Sequence, residues 1–339
     1  MTQLGISLGW SHREPIDRII RLIQDSESAG VAAAWIVDSQ LAMRDAFTLL
    51  ALAAHNTRHI QLGPGVTNLV TRHETVVANS LVSLRALAPG RILAGIGAGD
   101  SAVYSIGLEP QKIRVLEKGV HRLRSLLGGS SSAEMTMTIA GNSGPAEPIF
   151  IAASQPRMLQ LAGAFADGAI IMGPADPEII RQQMHEVNRG AIDAGRDPGE
   201  VFRDVWVTMA VDGEEAGVDA VRSWASAQAR WLAKWKQLPA SLRRFEAEMH
   251  VAADSYDFSR HLSVTAEHAK ILSDEFTVAL AVAGDIAQCA ARLAGIAEVG
   301  ADRITVSLLP GGRERRLEEL IGVWRMSNLS EAMPLKARP

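Results

Sequence analysis

Short apolar runs alternate along this chain with longer segments of helical period, and this rhythm restricts the fold more than any other feature. The runs cover residues 4–9, 32–39, 59–68, 91–100, 148–154, 168–173, 201–212 and 303–312. Segments with apolar residues at three- and four-residue spacing follow them. In the first such segment, 15–30, Ile16, Ile19, Ile20 and Ile23 share a face, Pro15 suits a first turn, and Gly30 marks the stop. Continuous apolar strands alternating with helices imply a parallel sheet covered on both faces. Eight such units in 339 residues predict a closed (β/α)8 TIM barrel over a doubly wound open sheet.

The whole chain, 1–339, reads as one barrel domain with two interruptions. Residues 130–147 are small, polar and proline-bearing, and 213–283 are too long for a simple crossover. Both are read as insertions at the barrel mouth. In the second, Trp224, Trp231 and Trp235 fall on one helical face, which predicts a packing face or a subunit contact.

A parallel barrel carries its active site where the strands end. Those positions hold Trp10, Ser11 and His12; Asp38 and Ser39; Gly65, Val66, Thr67 and Asn68; Gly97, Ala98, Gly99 and Asp100; Ser154 and Gln155; and Gly173. The rim is rich in glycine and small polar groups and poor in reactive sets. It has no G-x-S-x-G elbow and no lysine at a strand end. No histidine pair has ligand spacing beside a strand-end carboxylate, so no metal site is expected, and His261 and His268, seven apart, read as a solvated helix face. A rim with so few reactive groups implies that a bound cofactor carries the chemistry. The segment 95–100, GIGAGD, lacks the third glycine of a dinucleotide fingerprint. The turn Ser154-Gln155-Pro156-Arg157 allows two readings: an anion site at a helix start, or simple capping by Ser154 with Arg157 in solvent.

The net charge is −4 and the basic residues are scattered, which excludes a nucleic-acid footprint. No segment approaches the ~20 apolar residues of a membrane span, and the start of the chain reads as a strand, not a signal peptide. The single cysteine, Cys289, permits no disulfide framework. These features predict a soluble, cytoplasmic protein, expected to be a homo-oligomer.

Several segments carry a family resemblance in order and spacing. They are W-I-V-D-S (35–39), R-D-A-F-T-L-L-A-L-A-A (44–54), G-P-G-V-T-N (63–68), T-R-H (71–73), G-R-I-L-A-G-I-G-A-G-D (90–100) and P-I-F-I-A-A-S-Q-P-R-M-L-Q-L-A-G-A-F-A-D-G (148–168). The chain resembles the luciferase-like superfamily, especially its branch similar to methylenetetrahydromethanopterin reductase. The resemblance implies a barrel that binds coenzyme F420, or alternatively FMN. It implies a cis peptide at Gly65-Val66, with Thr67 and Asn68 completing a bulge against the ring. It implies cofactor contacts at Asp38, Gly97, Ala98 and Gly99, and a phosphate held by Ala153, Ser154, Gln155, Pro156 and Arg157. Two departures stand out. The first strand ends in Gly9-Trp10-Ser11-His12 where reductases of this branch often carry an acidic residue, and the 213–283 insertion is long.

The expected function is hydride transfer between reduced F420 and a small organic substrate. The alternative is an FMN-dependent monooxygenase supplied with reduced flavin by a partner flavin reductase. A third reading is a non-catalytic binding protein on the same barrel. Candidate catalytic groups are His12, a residue type able to donate a proton to substrate, Asp38, which ends the second strand, and His73, which opens a helix.

Overall fold

The computed structural model describes residues 1–130, 137–211, 216–235, 238–257, 260 and 266–329. Its strands are β1 (Gln3–Leu8), β2 (Ala33–Ile36), β3 (Gln61–Pro64), β4 (Thr67–Asn68), β5 (Ala94–Gly97), β6 (Ile149–Ala153), β7 (Gly168–Met172), β8 (Phe202–Val211), β9 (Val282–Gly284) and β10 (Arg303–Ser307). They pair in parallel in the order β3-β2-β1-β10-β8-β7-β6-β5-β4, with β9 beside β8. β3 and β4 are halves of one strand, so this path returns on itself. Leu62 N–H donates to the Arg91 carbonyl at 2.8 Å, and Leu93 N–H to the Leu62 carbonyl at 2.9 Å, which closes the ring. The expected TIM barrel is therefore the fold.

Strand alternation sorts the two faces. Leu4, Ile6 and Leu8 of β1 point outward into the large cluster shared with the surrounding helices. Inward, a Cβ on Gly5 would meet the side chains of Thr305 and Arg303. The lumen is filled by Trp35, Leu93, Phe150, Ile170 and Trp206. Beneath them lies an ion pair. Asp204 is 0% exposed and Arg303 1%. Arg303 donates Nη2 and Nε to Asp204 Oδ2 at 2.7 and 2.9 Å. Trp35 Nε1 adds a bond to Oδ2 at 3.1 Å, Thr305 Oγ1 one to Oδ1 at 2.6 Å, and Gln61 Oε1 accepts from Arg303 Nη1 at 3.1 Å. The guanidinium also lies 5.0–5.6 Å from the ring centres of Phe202, Trp35 and Phe150.

The structure departs from the sequence reading in two places, the continuity of the third strand and the position of the first insertion. The third strand is interrupted at Gly65-Val66, where the peptide is cis as expected. The 130–147 segment joins the end of the helix Ile113–Leu127 to the start of β6. A helix-to-strand connection returns the chain to the strands' N-terminal ends, so this segment lies opposite the mouth; its residues 131–136 lie outside the described set. The 213–283 insertion leaves the C-terminal end of β8 and therefore sits at the mouth. Its described part forms helices, principally Ala216–Leu232 and Glu246–Asp254, and it closes by adding β9. Among the described residues, no helix is long and apolar enough to cross a membrane.

Removing one partner of a buried pair strands the other charge, at a cost of about 3–5 kcal/mol. Asp204→Ala is expected to lower the unfolding free energy by about that much in urea titration. The double change Asp204→Leu with Arg303→Met is expected to recover part of the loss. A single variant as stable as the parent would show that the pair does not support the barrel.

Candidate functional site

The mouth is organised around the Asp38 carboxylate, just past β2 and buried. Arg72 grips it with Nε at 2.8 Å and Nη2 at 3.0 Å, and Thr67 Oγ1 donates to Oδ2 at 2.6 Å. Arg72 also reaches Asp45 at 2.6 Å and covers the Phe47 ring at 4.9 Å. Burial works against the charge on Arg72, but its bonds to Asp38 and Asp45 outweigh that and hold it above the ordinary arginine value. Asp38 therefore ties the end of β2 to β4 and to the turn after it.

Glycines clear the space that the bulge needs. A Cβ on Gly65 would lie 2.6 Å from Trp35 Cβ and 2.8 Å from the far edge of Trp206, and one on Gly97 would lie 2.8 Å from Val66 Cγ2. The result is an apolar shelf in which Val66, Ala152 and Met172 pack on the lumen cluster. Asn68 is committed to its turn, accepting from Val70 N at 3.0 Å and Thr71 N at 2.9 Å. The Ala98 carbonyl accepts from Gln111 N at 2.8 Å, and Gly99 takes a left-handed φ of 99°.

At the end of β6, Ala153 is buried and Gln155 occupies the N-cap of the helix Pro156–Phe165. The Gln155 side chain makes no capping bond, and among the described residues Ser154 makes none either, which leaves the N-terminus open. Of the two readings of this turn, the capping one has no hydrogen bond behind it. Arg157 is exposed in the first turn.

The histidines stand apart from Asp38. His12 is exposed in the turn after β1 and gives its carbonyl to Arg44 Nη2 at 3.0 Å. Among the described residues, no hydrogen bond or ion pair joins it to Asp38. Its neighbour Trp10 is buried, 4.6 Å beneath the Arg313 guanidinium, with Nε1 donating to the Pro15 carbonyl at 3.1 Å. His73 is the exposed N-cap of the helix Glu74–Leu87, its Nδ1 accepting from Thr75 N at 3.3 Å. His261 lies outside the described residues, whereas His268 is buried and burial pushes its pKa down.

Sequence reading missed how far the insertion helix Ala216–Leu232 enters the mouth. Arg230 Nη2 meets both Asp100 oxygens at 2.7 and 2.6 Å, and Trp231 Nε1 adds a bond to Asp100 at 3.2 Å. Gln155 Nε2 donates to the Trp231 carbonyl at 3.0 Å, and Gln228 Nε2 to the Gly173 carbonyl at 3.1 Å. The helix is thus pinned to the ends of β5, β6 and β7. The signal was the polar Gln228 and Arg230 set between Trp224 and Trp231, on a helix read as a packing face. Trp224 and Trp231 instead line a cleft over the strand ends, while Trp235 packs on the insertion's own core. Gln228 Oε1 and Trp206 Nε1 are buried without hydrogen-bond partners among the described residues.

The sequence model of the luciferase-like monooxygenase family matches residues 2–303. A 5,10-methylenetetrahydromethanopterin reductase from Methanolobus tindarius is 26% identical over 326 residues, which cover 91% of this chain and 95% of that protein. The structure of the coenzyme F420-dependent tetrahydromethanopterin reductase from Methanopyrus kandleri is similar with a TM-score of 0.74 and 22% identity, over 95% of this chain and 97% of that one. An F420-dependent secondary alcohol dehydrogenase, solved with an F420–acetone adduct, has the same TM-score at 18% identity, over 96% and 99%.

The Asp100–Arg230 pair is the charged element of the latch. Asp100→Asn is expected to weaken it by about 1–3 kcal/mol, the scale of a charged hydrogen bond. Hydrogen exchange reads this as faster exchange across 216–232 with the barrel strands unchanged. Unaltered exchange in that helix would show that its packing alone holds it.

Proposed function

The chain belongs to the luciferase-like monooxygenase family, and on that premise we propose that it is an oxidoreductase that moves a hydride between coenzyme F420 and a small organic substrate. The observation that carries this reading is the glycine-cleared shelf beside an uncapped helix start. Val66, Ala152 and Met172 present a flat apolar floor. Gly65 and Gly97 leave no side chain in the way. Trp206 offers an unpartnered indole N–H at its edge. These residues fit a planar heterocycle with a phosphate-bearing tail. Relatives whose names state F420 dependence, among them a hydroxymycolic acid dehydrogenase of Mycobacterium tuberculosis, favour the deazaflavin over FMN. When bound, that ring supplies the chemistry by giving or taking a hydride, which accords with strand ends that carry neither a lysine nor a G-x-S-x-G serine.

The roles of the protein groups follow from position. Val66 supports the ring face, and Thr67, Asn68 and Asp38 hold Val66 in place. Gly97, Ala98 and Gly99 let the ring approach the backbone. Ala153, Ser154, Gln155 and Pro156 present the open helix start to the phosphate, and Arg157 brings an exposed positive charge beside it. Asp38 is committed to Arg72 and Thr67, so it acts as a positioning residue. His12, exposed at the rim, is the proton donor in this reading. His73 serves only if its ring leaves the helix cap.

A second reading, an FMN-dependent monooxygenase supplied by a flavin reductase, is favoured by the family's description as monooxygenases. The buried lone thiol of Cys289 suits a reducing cytoplasm. The exposed Leu41, Ile106 and Leu108 support a homo-oligomeric contact.

Separate titrations with F420 and FMN distinguish the two, and the expected outcome is tight uptake of F420 with a perturbed absorbance band. Uptake of FMN alone would transfer the protein to the monooxygenase reading. Arg157→Ala is expected to weaken F420 binding by about 1–3 kcal/mol. An unchanged dissociation constant would remove Arg157 from the phosphate site.

A further inference from the structure

The insertion over the mouth buries a histidine. His268, on the short helix Glu267–Lys270, is 1% exposed. Its Nδ1 accepts from the Asp257 N–H at 3.2 Å, so the ring is neutral and carries its hydrogen on Nε2. Nε2 is also buried and has no hydrogen-bond partner among the described residues. Buried polar groups are normally satisfied, so a neutral ring with a bare N–H calls for an explanation.

The ring is connected to the latch. It packs on Tyr256, with 4.3 Å between ring centres and 31° between planes. The Arg230 guanidinium lies 5.2 Å from the centre of the same Tyr256 ring. Arg230 in turn holds both Asp100 oxygens at the end of β5. A short chain of contacts therefore runs from His268 through Tyr256 and Arg230 to the barrel.

A proton cannot enter this packing without breaking it. The vacant position is Nδ1, where the new N–H would face the Asp257 N–H that the ring now accepts, and the cation formed would be buried. Burial is the largest influence on His268 and pushes its pKa down; Asp257 pulls it up, and Arg260 adds to the fall. The other charged groups nearby are committed or in solvent. On the helix Ala216–Leu232, Arg230 is held by Asp100, and Arg222 by Asp219 and Asp274. The helix Glu246–Asp254 turns Met249 and Ala252 inward, leaves Glu246, His250 and Asp254 exposed, and bonds Glu248 to Ser273. Lys270 and Glu267 pair with each other. Burial raises the Tyr256 hydroxyl above the ordinary tyrosine value, so it stays neutral.

We propose that His268 is a pH-sensitive clasp: neutral, it keeps the insertion helix on the barrel mouth, and protonated, it releases that helix. The mouth is then covered in neutral medium and uncovered in acid. In the open form the ring is solvated and titrates at about 6.5. In the closed form it titrates lower, so the closed form binds fewer protons. Closure is fully favoured above about pH 6.5 and loses up to about tenfold per pH unit below it, until the closed-state value is reached. The inference does not depend on which cofactor the mouth takes.

Hydrogen exchange on the full-length chain at about pH 7.5 and about pH 5.5, corrected for the intrinsic amide rate, tests this. Opening of 216–232 and 246–254 is expected to rise several-fold, up to about tenfold, at the lower pH, with the barrel strands unchanged. His268→Asn, whose Oδ1 can take the Asp257 N–H and which cannot be charged, is expected to remain closed at both. His250→Gln, which removes an exposed histidine of the same insertion, is expected to keep the parent response. In an NMR titration of the parent, the His268 ring is expected to have its midpoint below about 6.5. The proposal is overturned if the insertion exchanges alike at the two pH values, if the barrel strands loosen as much as the insertion, if His268→Asn keeps the parent response, or if His250→Gln abolishes it. Should His268→Asn be open at both, the ring decides: a midpoint at or above about 6.5 overturns the clasp, and one below supports it.

Discussion

A closed eight-stave barrel has a narrow lumen that side chains must fill, and here the filling is anchored by a buried charge pair. Asp204 and Arg303 would each be prohibitively desolvated alone. Together, with Trp35, Thr305 and Gln61 completing their hydrogen bonds, they form a satisfied polar node under a layer of aromatic rings. The rest of the mouth depends on this layer. Trp35 and Trp206 lean across the lumen, 5.8 Å apart, and occupy the space that side chains on the third and fourth strands would need. Gly63, Gly65 and Gly95 answer that crowding, since a Cβ on any of them would strike Trp35. The bulge that lifts Val66 toward the mouth follows from what lies beneath it.

Charge is handled differently at the two levels. At the rim every carboxylate considered as a functional group is already paired: Asp38 with Arg72, Asp100 with Arg230. Both pairs connect separate elements, the first across β2 and β4, the second between β5 and the insertion. Their role is mechanical, and they remove free charge from the cleft. What remains accessible is apolar surface, neutral hydroxyls and open backbone amides. Such a surface accelerates a reaction by holding reactants in place more than by proton chemistry.

The barrel was legible because its two periodicities are independent of packing detail: apolar runs for strands, three- and four-residue spacing for helices. Gly65-Val66 was legible only through family resemblance, since no local pattern marks that interruption of the third strand. The mouth was less legible for a definite reason. Asp38 looks like a free catalytic carboxylate until Arg72, thirty-four positions away, closes on it. His73 looks like a mouth residue until the helix start claims its ring. Ser7, Thr208 and Ser307 lie far apart in sequence and stand side by side only once the register of β1, β10 and β8 is set.

The same division of labour holds at the end of the first strand. The first-strand end, Gly9-Trp10-Ser11-His12, spends Trp10 on structure: the indole lies under Arg313, which also binds Glu14 and the Gly9 carbonyl. That turn fastens the last helix of the barrel to its first strand, and so it contributes no free carboxylate to the cleft. The polar groups lining the cleft are Gln228 of the insertion helix, Thr208 of β8 and Ser307 of β10. An insertion can change without disturbing the Asp204–Arg303 node, because it leaves the barrel at the mouth and returns through β9 on the same side. The crowded lumen with its glycines and the helix that crosses the mouth are therefore separable parts of the chain.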